Sequence, residues 1–527
     1  MPSTYDVVAI GSGHNGLVAA AYLAAAGKSV MVIERNAWFG GGVVTAKLTG
    51  PDFLHDRFST GHIFIQGNPL IKNDELGLLS RYGLKYVYPE IPFMVVFDDG
   101  STIGLFRDRQ KNYQQIARFS NRDAETYLRF AETAMKYLPM ISASFYTPPP
   151  PLGAMLAMLD QSVEGRELFA LMQKSPYDII MENFENEKVR LFLVRMVAEN
   201  LTGPEEKGTG IGIFVFLGFM ETYGIGVAVG GSGALTASLI RSIEDHGGRV
   251  LNNTSVEQVV VKNGRACGVR TAEGAEYTAK DGIIGSIHPH LLGKYVPGVD
   301  ARVRRDAERV ELSANSCFTV HGALNEPLRF KAGPHVSKAY FTDLVPSSMA
   351  VLRQYFDALR YGRIPDTALL GVACPSNFDA TRCPPGKATF HIWDYVPYSH
   401  PDGGPGHWDT VKDAFAQTMI ERTADFCDNL TPQNIMAYVC DSPLDLERCS
   451  ESFQRGDLHG VAPYLYQSGA HRPTPDLGMN TVPGIERLYL VGPFQHPGGG
   501  VFGAGRATAM RMCEDLKIDF DKIGRQR

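Results

Sequence analysis

Residues 6–34, DVVAIGSGHNGLVAAAYLAAAGKSVMVIE, decide the fold. The run DVVAI at residues 6–10 is apolar and β-branched after its first residue, which is typical of a parallel strand buried on both faces. An Ala-rich stretch at residues 17–26 predicts a helix, and residues 29–33 predict a second apolar strand. Strand, helix and strand in this order predict a parallel α/β unit.

The glycines between the first strand and the helix have the spacing of a dinucleotide-binding loop. Gly11, Gly13 and Gly16 form G-x-G-x-x-G: the first permits a tight turn, the second lets backbone approach a pyrophosphate, and the third lets helix and strand pack closely. Glu34 ends the second strand, where a carboxylate accepts hydrogen bonds from ribose hydroxyls. Because an acid disfavours a phosphorylated ribose, the motif predicts FAD or NAD rather than NADP.

A second Gly-rich segment follows at residues 37–45, AWFGGGVVT. It provides a second close approach of backbone to the ligand, which NAD-dependent dehydrogenases do not usually have. The combination therefore favours FAD. The predicted cofactor contacts in this region are Arg35, Gly41, Gly42 and Thr45.

Several blocks along the whole chain carry a resemblance to a known family. The chain resembles the FAD-dependent amine oxidase and phytoene desaturase superfamily. Within it, the chain is most similar to the phytoene desaturase-like branch that contains pyridine nucleotide-disulfide oxidoreductase domain-containing protein 2. The blocks are GSGHNGLVAAAYLAAAG at 11–27, GGSGALTASLIRSIEDHGG at 230–248, PPGK at 384–387 with VPY at 396–398, and HPGGGVFGAGR at 496–506.

One position departs from the amine oxidase pattern. Many amine oxidases carry Arg after the paired glycines of the second loop, whereas this chain has Gly42. The phosphate or flavin contact of that arginine is therefore missing. The desaturase-like branch tolerates a small residue there, so the departure favours that branch.

The resemblance implies a fold in two interleaved parts. We expect an α/β protein in which a Rossmann-type FAD-binding domain, of the glutathione reductase-like flavoprotein kind, alternates along the chain with an α+β substrate domain. The FAD-binding domain is predicted from residues 1–67, 226–300 and 456–527. The substrate domain is predicted from residues 68–225 and 301–455.

The resemblance also implies further cofactor contacts. Val256 falls where this superfamily contacts the adenine with backbone groups. Gly492 begins a Gly-rich loop that runs into a predicted helix from Arg506, and such a loop can aim backbone N–H groups at the electron-rich edge of a flavin. By resemblance, Gly500, Val501 and Phe502 line the isoalloxazine ring.

Other segments predict secondary structure directly. Residues 249–261 and 266–270, joined by the turn dipeptide Asn263-Gly264, predict a β-hairpin. The run TPPPP at 147–151 predicts a break between elements. Further elements are predicted as a helix at 123–137, a strand at 388–395 and a buried strand at 487–491.

Four residues are candidates for chemistry or substrate contact. His62 and His496 lie near the two predicted flavin-side loops, and imidazole can move a proton near neutral pH. Each also has a structural interpretation, in which it holds the backbone or FAD. His459 and Arg472 precede the predicted strand at 487–491 and are candidate pocket residues, with packing as the alternative.

Composition excludes several classes of protein. The chain has 527 residues, 44% apolar and 20% charged, with a net charge of −6, so neither disorder nor nucleic-acid binding is expected. Its eight cysteines have no metal-binding or redox spacing, so we expect reduced thiols and no metal.

The apolar segments of the sequence bear on location. Residues 211–220, IGIFVFLGFM, fall well short of the roughly 20 residues that span a bilayer, so they predict a buried core segment, with a membrane-docking patch as the alternative. The first residues show no secretory signal. We expect a cytoplasmic protein, and we leave peripheral membrane contact open.

These observations predict an FAD-dependent oxidoreductase that transfers hydride between an apolar carbon skeleton and flavin N5, making or saturating a carbon–carbon double bond. A carbon–nitrogen (amine) oxidase is the alternative, and a redox-neutral isomerase or a partner-binding flavoprotein is the alternative from another class. The expected substrate is a lipophilic or aromatic small molecule. Oxygen, a quinone or a nicotinamide remain open as electron acceptor, and self-association remains open too.

Overall fold

The computed structural model describes residues 3–500 and 503–524. Its strands form two large sheets and two small two-stranded sheets. The strands are β1 (Thr4–Ile10), β2 (Val30–Ile33), β3 (Thr45–Ala46), β4 (His55–Asp56), β5 (Tyr86–Val87), β6 (Ile91–Phe97), β7 (Thr102–Leu105), β8 (Val227–Ala228), β9 (Arg249–Leu251), β10 (Val256–Lys262), β11 (Arg265–Thr271), β12 (Glu276–Gly285), β13 (Ser316–Leu324), β14 (Ala339–Val345), β15 (Gly371–Ala373), β16 (Ala388–Val396), β17 (Ile435–Asp441), β18 (Thr481–Val482) and β19 (Ile485–Leu490).

Helices pack on both large sheets. They are α1 (His14–Ala25), α2 (Pro69–Lys72), α3 (Arg109–Ala117), α4 (Asn121–Phe145), α5 (Leu152–Asp160), α6 (Val163–Gln173), α7 (Pro176–Asn183), α8 (Glu187–Val197), α9 (Ile211–Tyr223), α10 (Gly233–Asp245), α11 (Leu292–Tyr295), α12 (Ala301–Glu308), α13 (Met349–Arg360), α14 (Trp408–Ala424), α15 (Pro443–Cys449) and α16 (Ala504–Asp515).

The first large sheet has the order β10-β11-β19-β12-β1-β2-β9, with β18 paired to β19. Its centre is parallel: β1 pairs with β2 and β12, and β2 pairs with β9. Its strands come from three separate stretches of chain, residues 4–33, 249–285 and 481–490. The predicted parallel α/β unit is confirmed, while the exact domain boundaries stay a prediction.

Helices α1 and α16 lie directly against each other beside this sheet. A Cβ added at Gly505 in α16 would lie 2.3 Å from the carbonyl oxygen of Asn15 and 2.7 Å from the Cβ of Val18 in α1. Only a glycine therefore allows this approach. The close contact places the start of α16 beside the first glycine loop.

The second large sheet has the order β17-β13-β16-β15-β14-β6-β7. Its strands come from residues 91–105 and 316–441. One face of the neighbouring strands β13 and β16 is mostly apolar and packs on α14, where Phe318 contacts Trp408 and Phe415. The opposite face carries polar side chains toward the β3–β4 hairpin, because His55 of β4 contacts His321 of β13.

The predicted hairpin needs one correction. β10 and β11 do form an antiparallel hairpin around Asn263 and Gly264, as predicted. However, β9 is not part of it: Arg249–Leu251 pairs in parallel with β2 on the far edge of the sheet. Alternation alone could not separate the two strands, because both are short and partly apolar.

The other predicted elements lie where expected. The predicted helix lies within α4, the strand at 388–395 within β16, and the proline run between α4 and α5. Residues 211–220 lie in α9, whose residues 213–221 are all buried, so the docking-patch alternative is wrong for this segment. No helix among residues 3–500 and 503–524 is long and apolar enough to cross a membrane. All eight cysteines lie in the described part and are free thiols, as expected.

Candidate functional site

An elongated cavity runs along the carboxyl ends of β1 and β2, which is where ligands bind in open α/β sheets. Two glycine loops, residues 11–16 and 40–42, form one side of it. Residues 450–459 and the loop after β19 form much of the other. Nine predicted cofactor residues line this cavity: Gly11, Gly13, Glu34, Arg35, Gly41, Gly42, Val256, Gly492 and Gly500.

The two glycine loops touch each other, and side chains would not fit between them. Gly11 has φ +84° and Gly41 has φ +58°, a region that favours glycine. A Cβ added at Gly41 would lie 3.0 Å from the Cα of Gly13, and one at Gly16 would lie 3.0 Å from the Gly11 oxygen. Gly16 therefore supports the loop from behind, while Gly13 faces the cavity. This bare backbone at a helix N-terminus fits a pyrophosphate.

Glu34 is buried with both carboxylate oxygens held. The backbone N–H and the hydroxyl of Ser12 both donate to Oε2 at 2.8 Å, and the backbone N–H of Asn36 donates to Oε1 at 2.8 Å. The carboxylate is thus fixed in orientation at the cavity wall, where it can still accept from a ribose hydroxyl. Ser12 and Asn36 are functional residues that the motif did not single out.

A second acidic residue, Glu451, shares this end of the cavity. Arg35 lies 3.5 Å and Lys294 3.0 Å from its carboxylate, and the hydroxyl of Tyr295 donates to it. Burial alone would raise the pKa of Glu451, but the hydrogen bonds from Tyr295 and Lys294 outweigh it and lower the pKa. The predicted cofactor residue Arg35 therefore has a fixed ion-pair partner that no sequence motif indicated.

His14, the first residue of α1, was also missed. It lines the cavity beside Gly500, and burial lowers its pKa to about 4, so the ring is neutral. Its Nε2 is buried and has no hydrogen-bond partner among the described residues. A buried polar atom aimed into a binding cavity fits a polar ligand group there. The signal was present, since His14 occupies an x position of G-x-G-x-x-G.

The opposite part of the cavity is apolar. Phe58, Leu458 and Pro493 line it, together with Ser59 and His459. Phe58 packs edge-to-face on Phe453, with ring centroids 5.2 Å apart. A Cβ at Gly499 would lie 2.3 Å from the Cα of His459, so the predicted pocket residue His459 sits against the flavin-side loop. The predicted contacts Val501 and Phe502 lie outside the described residues.

Thr45 holds protein groups instead of facing the cavity. Its hydroxyl donates to Asp56 Oδ1 at 2.6 Å and accepts from the Gly233 N–H at 2.9 Å. Asp56 in turn accepts from the guanidinium of Arg382 at 2.8 Å. Thr45 therefore ties the second glycine loop to α10 and is not among the residues that line the cavity.

Arg382 is fully buried and binds two carboxylates from separate parts of the chain. Its Nη2 donates to Asp56 and its Nε donates to Asp379, each at 2.8 Å. Asp379 also accepts from the backbone N–H of Gly230 at 2.8 Å. This ion network joins the sequence block that starts at Gly230 to the segment just before PPGK.

Arg472 has a structural position rather than a pocket position. All its donors face backbone carbonyls, with Nη2 donating to Pro493 at 2.8 Å and to Val461 at 3.1 Å. Burial lowers its pKa to about 10. It does not line the cavity; it clamps the loop after β19 to residues 459–462.

The two candidate catalytic histidines are likewise held inside the protein. His496 Nε2 donates to the Ser144 carbonyl at 2.8 Å, and His62 Nδ1 lies 2.8 Å from the Tyr86 hydroxyl. Burial lowers the pKa of each to about 4. Neither is among the lining residues of the cavity. Their positions favour the structural interpretation, and a catalytic role for either stays a prediction.

One group of metal-ligand type occurs elsewhere, where none was expected. His400, Asp402 and His407 place one ligand atom each within 4.8 Å of one another. The residues share a turn, since the Gly404 N–H donates to the His400 carbonyl at 2.9 Å. The turn between β16 and α14 creates this proximity.

Comparison with known proteins defines the class. A family model described as "Flavin containing amine oxidoreductase" matches residues 16–372. The chain belongs to this family. It is therefore an FAD-dependent oxidoreductase, and the predicted cofactor and enzyme class are confirmed.

Relatives along the full length agree with this assignment. The chain is 28% identical to one of the subunits of limonene dehydrogenase from Castellaniella defragrans, over 98% of this chain and 95% of that protein. It is 27% identical to mouse (Mus musculus) pyridine nucleotide-disulfide oxidoreductase domain-containing protein 2, over 97% and 94%. The predicted family resemblance is thereby confirmed.

A solved structure supports the fold. Wild-type putrescine oxidase bound to putrescine aligns with a TM-score of 0.60 at 16% identity, covering 98% of this chain and 99% of that one. At this identity the likeness shows the fold alone, and it confirms the predicted α/β fold class.

Proposed function

We propose that the protein transfers hydride between an apolar carbon skeleton and FAD. One observation carries this proposal: the distribution of charge along the cavity. The only Asp, Glu, Lys or Arg residues among its described lining are Glu34, Arg35 and Glu451, and all three lie at the ribose end. The part lined by Phe58, Leu458 and Pro493 offers an uncharged surface to a substrate.

The residues present divide the work between the two ends of the cavity. Gly11, Gly13 and Gly41 would hold the pyrophosphate, and Glu34 would hold the ribose. Bound FAD supplies a hydride acceptor at N5. The apolar end would place a substrate C–H bond there and exclude water, which disfavours release of charged intermediates.

The bond changes balance as a two-electron oxidation. One carbon loses a hydride and its neighbour loses a proton, and the electron pair of the second C–H bond becomes the new carbon–carbon π bond. Oxygen, a quinone or a nicotinamide takes up the two electrons afterwards, and the choice of acceptor stays a prediction. Among the described lining residues of the apolar end, His459 carries an imidazole, the type of side chain that can receive the proton.

The name of the full-length relative supports an alicyclic hydrocarbon as a substrate type, since that protein is part of a limonene dehydrogenase. Peripheral membrane contact and self-association stay predictions for this chain. The protein need not act on limonene itself; the proposal covers the class of apolar carbon skeletons.

Amine oxidation is the second candidate, and a specific observation favours it. Phe58 and Phe453 form an aromatic pair at the cavity wall, with their ring planes at 66°. Aromatic rings beside the cofactor can receive the apolar part of a neutral amine and stack near its nitrogen. This candidate differs from the first in the bond that is oxidised.

Anaerobic mixing separates the two candidates. The holoenzyme is mixed with limonene, with a linear polyene or with cyclohexylamine, and flavin absorbance at about 450 nm is followed. We expect a hydrocarbon to bleach the flavin and the amine to leave it oxidised. Bleaching by the amine alone would establish the second candidate. If no compound reduces the flavin, and pre-reduced enzyme converts none of them, both oxidoreductase proposals for this cavity fail.

A further inference from the structure

The face of β13 and β16 that looks away from α14 is polar, although it is buried. The two strands are antiparallel, with His321 opposite His391, Thr319 opposite Trp393, and Ala323 opposite Thr389. Side chains alternate along a strand, so Thr319, His321, Thr389 and His391 share one face. We call these four residues the polar face.

The polar face contains five buried polar atoms without a hydrogen-bond partner among the described residues. They are Thr319 Oγ1, His321 Nδ1, Thr389 Oγ1, and both ring nitrogens of His391. The most exposed of the four side chains, His391, is only 7% exposed. Buried polar atoms in folded proteins are nearly always hydrogen-bonded, so five on one face indicate a missing ligand or trapped water.

The polar face adjoins the apolar end of the cavity. His321 Nε2 donates to the carbonyl of Arg57 at 3.2 Å, and the next two residues, Phe58 and Ser59, line the cavity. On the other side, Trp393 packs on Phe341 with centroids 5.5 Å apart. The same segment of chain therefore borders both the cavity and the polar face.

The charge of the polar face determines what it can bind. Burial lowers the pKa of His321 to about 4 and that of His391 well below its usual value, so both rings are neutral. The nearby ions Arg57 and Asp441 satisfy each other through two hydrogen bonds of 2.8 and 2.7 Å. Neutral donors and acceptors on an uncharged surface suit an uncharged oxygen and not a carboxylate.

We propose that the polar face binds a neutral hydroxyl or carbonyl oxygen carried by an otherwise apolar substrate. This rests on the proposed function, because it places the oxygen on a face that adjoins the substrate cavity through residues 57–59. The His391 ring and one of the two threonine hydroxyls, which lie on either side of the His321–His391 pair, would hydrogen-bond the oxygen and fix which carbon atoms reach the cofactor. Recognition of one polar group by a buried hydrogen-bonding site gives strong selectivity over the analogue that lacks it.

The test compares two compounds with one carbon skeleton. Carvone carries a ketone on the skeleton of limonene, and both are titrated anaerobically into oxidised holoenzyme while the flavin difference spectrum gives Kd. We expect the wild type to bind carvone at least about tenfold more tightly than limonene. We expect the ratio of the limonene Kd to the carvone Kd to fall to about two or less in the double variant Thr319→Val/Thr389→Val. We expect the same fall, separately, in His391→Phe.

A matched control keeps the result interpretable. Thr423 is fully buried in α14 and already donates to the Met419 carbonyl at 2.8 Å, so Thr423→Val should keep the wild-type ratio. Bound FAD per chain and Tm establish that each variant is folded. If the wild type shows no preference, or if the double variant retains it, the polar face holds only water and the inference is wrong.

The outcome is separate from that of the proposed function. A carvone preference that depends on the polar face, in an enzyme whose flavin no substrate reduces, would support the inference and overturn the hydride-transfer proposal. Flavin reduction by a hydrocarbon, in an enzyme without a carvone preference that depends on the polar face, would support the hydride-transfer proposal and overturn the inference.

Discussion

The two glycine loops and the polar face are both buried and both present polar groups. They are built in different ways. At the glycine loops, Glu34 has protein donors on both oxygens, and the loops themselves are local segments. On the polar face, strands about 70 residues apart in sequence bring together side chains that lack partners. The Glu34 carboxylate at the cofactor end is thus held by the protein itself, whereas the polar face leaves five buried polar atoms without a partner among the described residues.

The largest expected effect concerns the cofactor end. Gly13→Val should abolish FAD retention, because Gly13 faces the cavity and a branched side chain would occupy the path of the pyrophosphate. The measurement is absorbance at about 450 nm per chain after purification. Gly153→Val is the control, since a Cβ at Gly153 in α5 meets nothing within 4 Å. A Gly13→Val protein that remains fully yellow would remove the basis for placing FAD here.

The buried ion network of Arg382 should give the next largest effect. Arg382→Met leaves Asp56 and Asp379 buried without their cation, and loss of one partner from a buried ion network costs about 3–5 kcal/mol of unfolding free energy. Denaturant unfolding measures this. The matched change Arg448→Met breaks an exposed pair with Asp409 and should cost less than about 1 kcal/mol. Equal losses in the two variants would contradict the buried network.

The buried histidines predict a dependence on pH. The folded-state pKa of His321, about 4, lies below the ordinary value of 6.5, so the unfolded chain binds the proton first. The unfolding free energy therefore has its full value above about pH 6.5 and falls as the pH drops toward 4. At about pH 5 the loss is about 2 kcal/mol for each such histidine.

His391 tests this dependence on the polar face itself, because burial also lowers its pKa. Unfolding free energy is measured at about pH 7 and about pH 5, and its fall between the two should be smaller in His391→Phe than in the wild type. An identical fall in both proteins would mean that His391 is protonated as readily in the folded protein as in the unfolded chain.

The smallest effect we expect is at the ribose position. Glu34→Gln keeps the shape of the side chain but removes the negative charge that accepts hydrogen bonds from Ser12 and Asn36. FAD affinity should therefore fall about tenfold. The affinity is measured by fluorescence titration of apoprotein with FAD. The exposed change Glu257→Gln is the control and should leave affinity unchanged. An unaltered affinity in Glu34→Gln would argue against a ribose contact.

The sequence predicted those features of the fold that depend on residues close together along the chain. The strand–glycine–helix order of β1 and α1 follows from local pattern, and it places Gly11, Gly13 and Glu34 at one cavity. The short strand β9 was joined wrongly to the β10–β11 hairpin, because its true partner β2 lies more than 200 residues away in sequence. Pairing at such distance leaves no local signal.

Side-chain roles were harder to predict than backbone roles. Arg472 and Thr45 fall in segments typical of the family, yet their hydrogen bonds hold protein groups rather than the cavity. Glu451 was missed because Lys294 and Tyr295, which fix it, lie in another part of the chain. The polar face was missed for a similar reason: no motif marks it, and only the register of β13 against β16 brings His321 to His391.

The central claim is that one cavity holds FAD, with its ribose end at Glu34 and its reactive end at the apolar wall. A crystal structure of the holoenzyme tests it most directly. We expect the adenine between Val256 and Tyr295 and the isoalloxazine beside Phe58 and His459. An FAD bound in the reverse direction, or outside this cavity, would contradict it.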